Sequence, residues 1–218
     1  MKQEIKYNTT ASFDVDCEKG FTPLCPNELP VVDGHTIVDA LNKQAKVARF
    51  RVGSKDVHPP TAKWIADKSH PQLTPIVGKN MDLRWNAHCI SGTQGSELLD
   101  GLPHPGDYNF FVYKGIEPDM HPYGACFHDL VKSQSTGVLE WLLYNEIETI
   151  IVGGLALDFC VLETIRELLS HDFEVILNLS ATKSLGKFHD VVKAIKKEFE
   201  EEQFFTIINS VDDLLIFD

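Results

Sequence analysis

The stretch Ile150-Ile151-Val152-Gly153-Gly154-Leu155-Ala156-Leu157-Asp158-Phe159-Cys160-Val161 decides how this chain folds. Ile150 to Val152 is a β-branched apolar run, as carried by a strand buried on both faces. Gly153 and Gly154 interrupt it. Beyond Asp158 the apolar period becomes helical, with Val161, Ile165, Leu168 and Leu169 on one face. Asp158 stands where a helix N-cap would, which puts Cys160 in the first turn. There, free backbone N–H groups and the helix dipole favour a thiolate. A cysteine at such a place is either a small buried hydrophobe or a nucleophile, and its partners decide which.

On either side of this junction strands alternate with helices. Strands are expected over residues 10–16, 47–54, 108–114, 149–152, 174–178 and 204–208, and helices over 33–48, 137–146, from Asp158 onward, and 187–201. A short terminal helix is expected over 211–217. Such alternation predicts a three-layer α/β/α domain with a mainly parallel, Rossmann-like sheet, spanning residues 1–218 as one domain. A long irregular region over about 56–107 breaks the pattern, and long loops inside compact domains are often functional. Ligands of parallel sheets bind beyond the carboxyl ends of the strands. Asp16, Asp56, Lys114 and Cys160 all fall at or just after expected strand ends.

The 218 residues, 43% hydrophobic, suffice for a full core, and the net charge of −12 excludes a nucleic-acid partner, since no basic stretch offsets it. No apolar run reaches the length of a membrane span, and MKQEIKYNTT lacks the apolar core of a signal peptide, so a cytoplasmic location is expected. The five cysteines (Cys17, Cys25, Cys89, Cys126 and Cys160) are odd in number and scattered, which suits reduced thiols. The sequence leaves self-association into a homo-oligomer open.

A carboxylate beside a thiol can serve as its general base and then as a proton donor, and a lysine near both would stabilise the thiolate and keep the carboxylate ionised. Asp16, Lys114 and Cys160 form such a set. Asp56-Val57-His58 places two metal donors one residue apart, and His88 offers another imidazole. Mixed carboxylate and imidazole donors suit zinc, iron or manganese rather than calcium. His121 and His128, in the region after Lys114, read as solvated loop histidines, and Cys89 and Cys126 as bystander thiols.

These residues resemble, in order and over nearly the whole chain, the nicotinamidases, within the cysteine hydrolases that include isochorismatases. Val15-Asp16 followed by Phe21 resembles V-D-x-Q-x-D-F, and Asp56-Val57-His58-Pro59 resembles D-x-H-P. His88-Cys89-Ile90-Ser91-Gly92-Thr93-Gln94-Gly95-Ser96-Glu97-Leu98 is similar to H-C-x-x-G-T-x-G-A-E-L. Tyr113-Lys114-Gly115 resembles the catalytic-lysine strand, and Gly154 to Val161 resembles G-x-A-T-D-x-C-V.

The resemblance implies an isochorismatase-like hydrolase fold and a nicotinamidase activity serving NAD salvage, with nicotinamide or a similar aromatic amide as the small-molecule substrate. Asp16 would be the base, Lys114 its charged neighbour and Cys160 the nucleophile. A cis peptide near Ala156-Leu157 would aim the Ala156 and Cys160 N–H groups at an oxyanion. Phe21 and Trp85 would sandwich the substrate ring, with Tyr123 as another wall. A divalent metal, zinc first and iron or manganese as alternatives, would be held by Asp56, His58 and His88.

The chain also departs from the family pattern. Glu18-Lys19-Gly20-Phe21 stands for Q-x-D-F, Leu157 for threonine, and Val57 for an aromatic residue. Trp64 stands near the place of the third metal ligand, for which His70 is expected, or else Asp67. The alternative readings are another amide or ester hydrolase of the same superfamily, or a catalytically inactive metabolite-binding relative.

Overall fold

The computed structural model of the chain describes residues 2–218. Its strands and helices follow the expected order, with two additions at the ends. In chain order they are β1 (Gln3–Lys6), β2 (Thr10–Val15), α1 (Val38–Lys46), β3 (Phe50–Asp56), β4 (Phe110–Lys114), α2 (Val138–Tyr144), β5 (Thr149–Gly154), α3 (Leu162–Leu169), β6 (Glu174–Thr182), α4 (Phe188–Glu198), β7 (Phe205–Ile208) and β8 (Leu214–Phe217). Between β3 and β4 the chain forms short 3-10 turns at Gln94–Ser96 and Pro105–Asp107, joined by isolated bridges.

Six strands form one parallel sheet in the order β4-β3-β2-β5-β6-β7. The chain builds outward from β2 to β4, then returns to lay β5 on the other side of β2. That reversal makes a crevice beyond the carboxyl ends of β2 and β5, where ligands of such sheets bind. The register places Asp56 opposite Lys114 and Val15 opposite Gly154, so the strand ends of the functional side chains are level.

Alternation along each strand separates the two faces. Ile150, Val152, Val175 and Leu177 join one core with Leu142 of α2, Ile165 and Leu168 of α3, and Ile195 of α4. Leu41 of α1 belongs to a second core, which also contains Trp64, Trp85 and Leu155. Helices therefore cover both faces, as the β-branched runs require.

Residues 211–217 depart from expectation. Only Val211–Asp213 makes a turn of 3-10 helix, and Leu214–Phe217 is a strand paired in parallel with β1. Ile5 and Leu214 pack with Ile151 and Ile176, so burial against the sheet outweighs the weak helical pattern of VDDLLIF.

Candidate active site

The position of Cys160 comes from the junction after β5. Gly154 has φ +124°, and a Cβ there would collide with the Val15 carbonyl, so only glycine allows β5 to pass this close to β2. The cis peptide bond lies at Leu155–Ala156, one residue before the expected place. The next residues form a π-turn, Leu157–Val161, in which the Val161 N–H donates to the Ala156 carbonyl (3.2 Å). Ala156 is the N-cap in place of Asp158. The Asp158 carboxylate instead accepts from the Leu185 and Gly186 N–H groups (3.0 and 2.8 Å), tying the loop after β6 to the nucleophile's turn. Leu157 has no polar role; it is fully buried in the core beside α3.

At the sheet's carboxyl edge, Lys114 Nζ lies 2.9 Å from Asp16 Oδ2, 2.6 Å from Asp56 Oδ1 and 3.9 Å from Cys160 Sγ. It also donates to the Pro122 carbonyl (3.2 Å). Donor atoms of Asp16, Asp56 and Cys160 lie within 4.8 Å of one another, but the ammonium takes the place a metal ion would occupy among them. Ser54 Oγ donates to Asp16 Oδ1 (2.7 Å). Asp16 Oδ2 is close to Lys114 but lacks hydrogen-bond alignment, which leaves it free to take a proton. Among the described residues no acceptor takes the Ala156 N–H, so it is available to a ligand's oxygen.

Burial raises the Asp16 carboxyl above its ordinary value; Lys114 opposes this and Asp56 adds to it. Burial would lower the Lys114 pKa, but Asp16, Asp56 and Cys160 together hold it well above normal. Two opposing influences act on the Cys160 thiol. Burial pushes the thiol well up, Lys114 pulls it down, and Asp16 and Asp56 push it up again. Burial and the two carboxylates thus oppose ionisation of the thiol, and Lys114 favours it.

Asp56 joins this cluster to a group of imidazoles. Its Oδ2 faces His58 Nε2 at 3.3 Å and His88 Nε2 at 3.9 Å. The Nδ1 of His58 contacts the Gly115 carbonyl (3.0 Å) and that of His88 the Asn86 carbonyl (2.7 Å), an arrangement that leaves each Nε2 as the free lone pair. Burial, helped by neighbouring His58, lowers His88 to about 3 and His121 well below the ordinary histidine value, so both are neutral. His58, His88 and His121 offer ring nitrogens within 4.8 Å of one another. His58 Nε2 and both nitrogens of His121 are buried without a hydrogen-bond partner. Orphaned lone pairs converging in this way suit a divalent transition metal.

The expected third ligands are not part of this group. His70 and Asp67 are more than half exposed and pair with each other at 3.2 Å. His121, read from sequence as solvated, is 4% exposed and stands in the cluster. Trp64, at the expected ligand position, is the one signal that a donor had to come from elsewhere.

Two further departures from the motif are compensated in space. The Glu28 carboxylate fills the room above Gly20 and Gly95 and accepts the Cys89 N–H (2.8 Å), bracing the turn after His88. Glu18 Oε1 accepts the Asp56 N–H (2.5 Å). Burial, then Asp16 and Asp56, push the Glu18 carboxyl well up.

Above Cys160 lies a small cavity of about 20 Å³, lined among others by Phe21, Trp85, Tyr123, Phe159 and Leu185. Asp56, His88 and His121 line the same cavity. Trp85 meets Phe159 edge-on at 4.8 Å, and its Nε1–H donates to the Tyr123 hydroxyl (3.2 Å), which donates to Asp82 (2.7 Å). The three aromatic residues expected from sequence do line one cavity together with Cys160.

Helix α3 holds the far wall. Thr164 Oγ1 donates to the Cys160 carbonyl (2.7 Å) and accepts the Ala125 N–H (3.1 Å), while Glu167 accepts the Cys126 N–H (2.9 Å). Burial raises the Glu167 carboxyl to about 7. An acid raised in the folded state stabilises below its unfolded pKa and loses that contribution as pH rises through the folded one. Glu167→Gln is therefore expected to come close to the parent at about pH 4 and exceed it at about pH 8 by on the order of 2 kcal/mol. Urea denaturation at both pH values measures this, and equal stabilities at pH 8 would contradict it.

A parallel α/β sheet presenting a buried acid, amine and thiol at its switch point, under an aromatic slot, defines a cysteine-hydrolase layout. The model of the Isochorismatase domain matches residues 13–210, and the chain belongs to that family of hydrolases. It is 30% identical over 155 residues to the nicotinamidase of Escherichia coli K12, covering 67% of this chain and 71% of that protein. Its fold matches an Acinetobacter baumanii nicotinamidase/pyrazinamidase (TM-score 0.82, 26% identity, 94% of this chain and 98% of that one). It also matches the Pyrococcus horikoshii pyrazinamidase in complex with zinc (TM-score 0.70, 25% identity, 92% and 98%).

Proposed function

We propose that this chain is an amidohydrolase converting nicotinamide to nicotinate and ammonia, acting as a single domain in the cytoplasm and serving NAD salvage. The observation that carries the reading is Lys114 held between Asp16, Asp56 and Cys160 at the floor of an aromatic slot that also holds imidazoles. Similarity to nicotinamidases supports the substrate.

In the cycle, Asp16 takes the Cys160 proton as Sγ attacks the carboxamide carbon, and a C–S bond forms. The carbonyl oxygen gains the negative charge and is received by the Ala156 and Cys160 N–H groups. Asp16 passes its proton to the amide nitrogen, the C–N bond breaks and ammonia leaves. Asp16 then deprotonates a water that attacks the thioester carbon. The C–S bond breaks, the thiol recovers its proton and nicotinate departs. Lys114 keeps its charge throughout and lowers the cost of negative charge on its neighbours. A divalent metal, zinc first, would be held by Asp56 and the imidazoles, and when bound it orients the substrate through the ring nitrogen, directly or through water. Trp85 and Phe21 would flank the ring, and Tyr123 would close the slot.

Ammonia release from nicotinamide is the test, with protein as purified, after chelation, and after return of zinc, iron or manganese. Release that falls on chelation and recovers with metal is expected. Folded, metal-loaded protein that releases no ammonia would overturn the nicotinamide reading.

A further inference from the structure

The three imidazoles come from three separate stretches of chain: His58 just beyond β3, His88 in the segment that follows Trp85, and His121 in the loop after β4. We propose that His121 is a further protein ligand of the metal, the third imidazole beside His58 and His88, supplied by the post-β4 loop in place of any residue soon after His58, and that Trp64 is the positioning residue that seats it.

Trp64 is fully buried and cannot be a ligand, because an indole offers only an N–H donor. Its Nε1–H donates to the carbonyl of Met120, the residue before His121 (3.0 Å), and its ring lies 4.4 Å from the His121 ring, centroid to centroid. The His121 N–H donates to the Asn80 carbonyl (2.8 Å), so the backbone on both sides of the ring is held. The ring nitrogens themselves have no partner, a cost a folded protein seldom carries without a bound ligand. His58 and His88 each engage Nδ1 with a carbonyl, leaving Nε2 facing the same point. The alternatives, His70 and Asp67, are occupied with each other at the surface.

The loop that carries His121 also carries the Pro122 carbonyl that receives Lys114 and the Tyr123 wall of the slot. With His121 as ligand, the ion would clip this loop to the end of β3. Metal binding and the seating of the catalytic lysine would then be one event.

This inference rests on reading the imidazoles as a metal site but not on nicotinamide, and it is tested without substrate. Metal-stripped protein is titrated with cobalt(II), following visible absorption and bound metal per chain, for the parent, His121→Ala, His121→Gln, Trp64→Phe and His70→Ala. Circular dichroism identifies variants that fold. The parent and His70→Ala are expected to bind one equivalent with the same spectrum. The His121 variants should bind at least about 100-fold more weakly with an altered spectrum, and Trp64→Phe about 10-fold more weakly with the parent's spectrum, as for the loss of an orienting neighbour. Proteolysis within residues 115–123 should slow on adding cobalt to the parent but not to His121→Gln. Unchanged cobalt affinity and spectrum in a folded His121 variant would overturn the inference, as would their loss in His70→Ala. A parent that binds no cobalt would also overturn it, even if ammonia release persists.

Discussion

Cys160→Ala is expected to lower ammonia release from nicotinamide by at least about 10⁴-fold, because removing a nucleophile leaves only binding and oxyanion stabilisation. The substitution deletes one sulfur from a site whose remaining contacts do not depend on it. Lys114 retains Asp16, Asp56 and the Pro122 carbonyl, and the imidazole cluster is untouched. Thermal stability and cobalt binding should therefore match the parent. This combination separates loss of chemistry from loss of fold, and a variant that keeps more than a hundredth of the parent's rate would remove Cys160 from the mechanism. Cys160→Ser is a sharper form of the same test. Its hydroxyl is a far poorer nucleophile beside a base that needs to take only a thiol proton, so it should be nearly as inactive as the alanine variant.

Lys114→Met should have the largest effect on stability. The ammonium is the buried cation between two carboxylates, all three groups being 2% exposed or less. Removing one partner of such a buried ion pair leaves uncompensated charge and costs about 3–5 kcal/mol. The pH dependence follows from two shifts of opposite sign. Lys114 is raised in the folded protein, so its contribution is complete below the unfolded lysine pKa and is lost only as pH rises through the folded value. Burial opposes ionisation of Asp56, but Lys114 and then His58 overcome it and lower its pKa well below the ordinary value. That contribution is present above the unfolded carboxylate pKa and is lost as pH falls through the folded one. The gap between parent and variant should thus be widest from about pH 5 to 9 and narrow in strong acid and strong alkali. Denaturant titrations across this range measure it. A variant as stable as the parent at pH 7 would show that solvent or protonation relieves the pair.

The fold was largely legible because its signals are local. The interior strands β5 and β6 carry the apolar runs Ile150–Val152 and Val175–Leu177, each followed by glycine or a polar residue, and the crossover helices carry apolar residues at helical spacing. The β1 and β8 pairing was not, because two four-residue segments at opposite ends of the chain gain their structure only from contact with each other and with Ile151 and Ile176. The same division holds in the site. Asp16, Asp56 and Lys114 were legible as strand-end residues, and the register then brought them together. His121 was not, because nothing in a loop sequence distinguishes an imidazole facing solvent from one turned inward under Trp64. The surroundings of Cys160 are hidden for a related reason: its position in a turn is visible in sequence, but the two carboxylates beside it arrive from other strands.

The place of Lys114 at the centre of the site has an electrical consequence. With both carboxylates ionised, Asp16, Asp56 and Lys114 together carry one net negative charge within a buried crevice. In the proposed cycle the thiol proton moves to Asp16, so negative charge passes from the carboxylate to the sulfur and on to the substrate oxygen, and that total is unchanged. Charge is exchanged between groups that touch the same ammonium, so the first step requires no ion to enter from solvent or leave to it. The protein can keep the slot narrow and apolar while charge is rearranged at its floor.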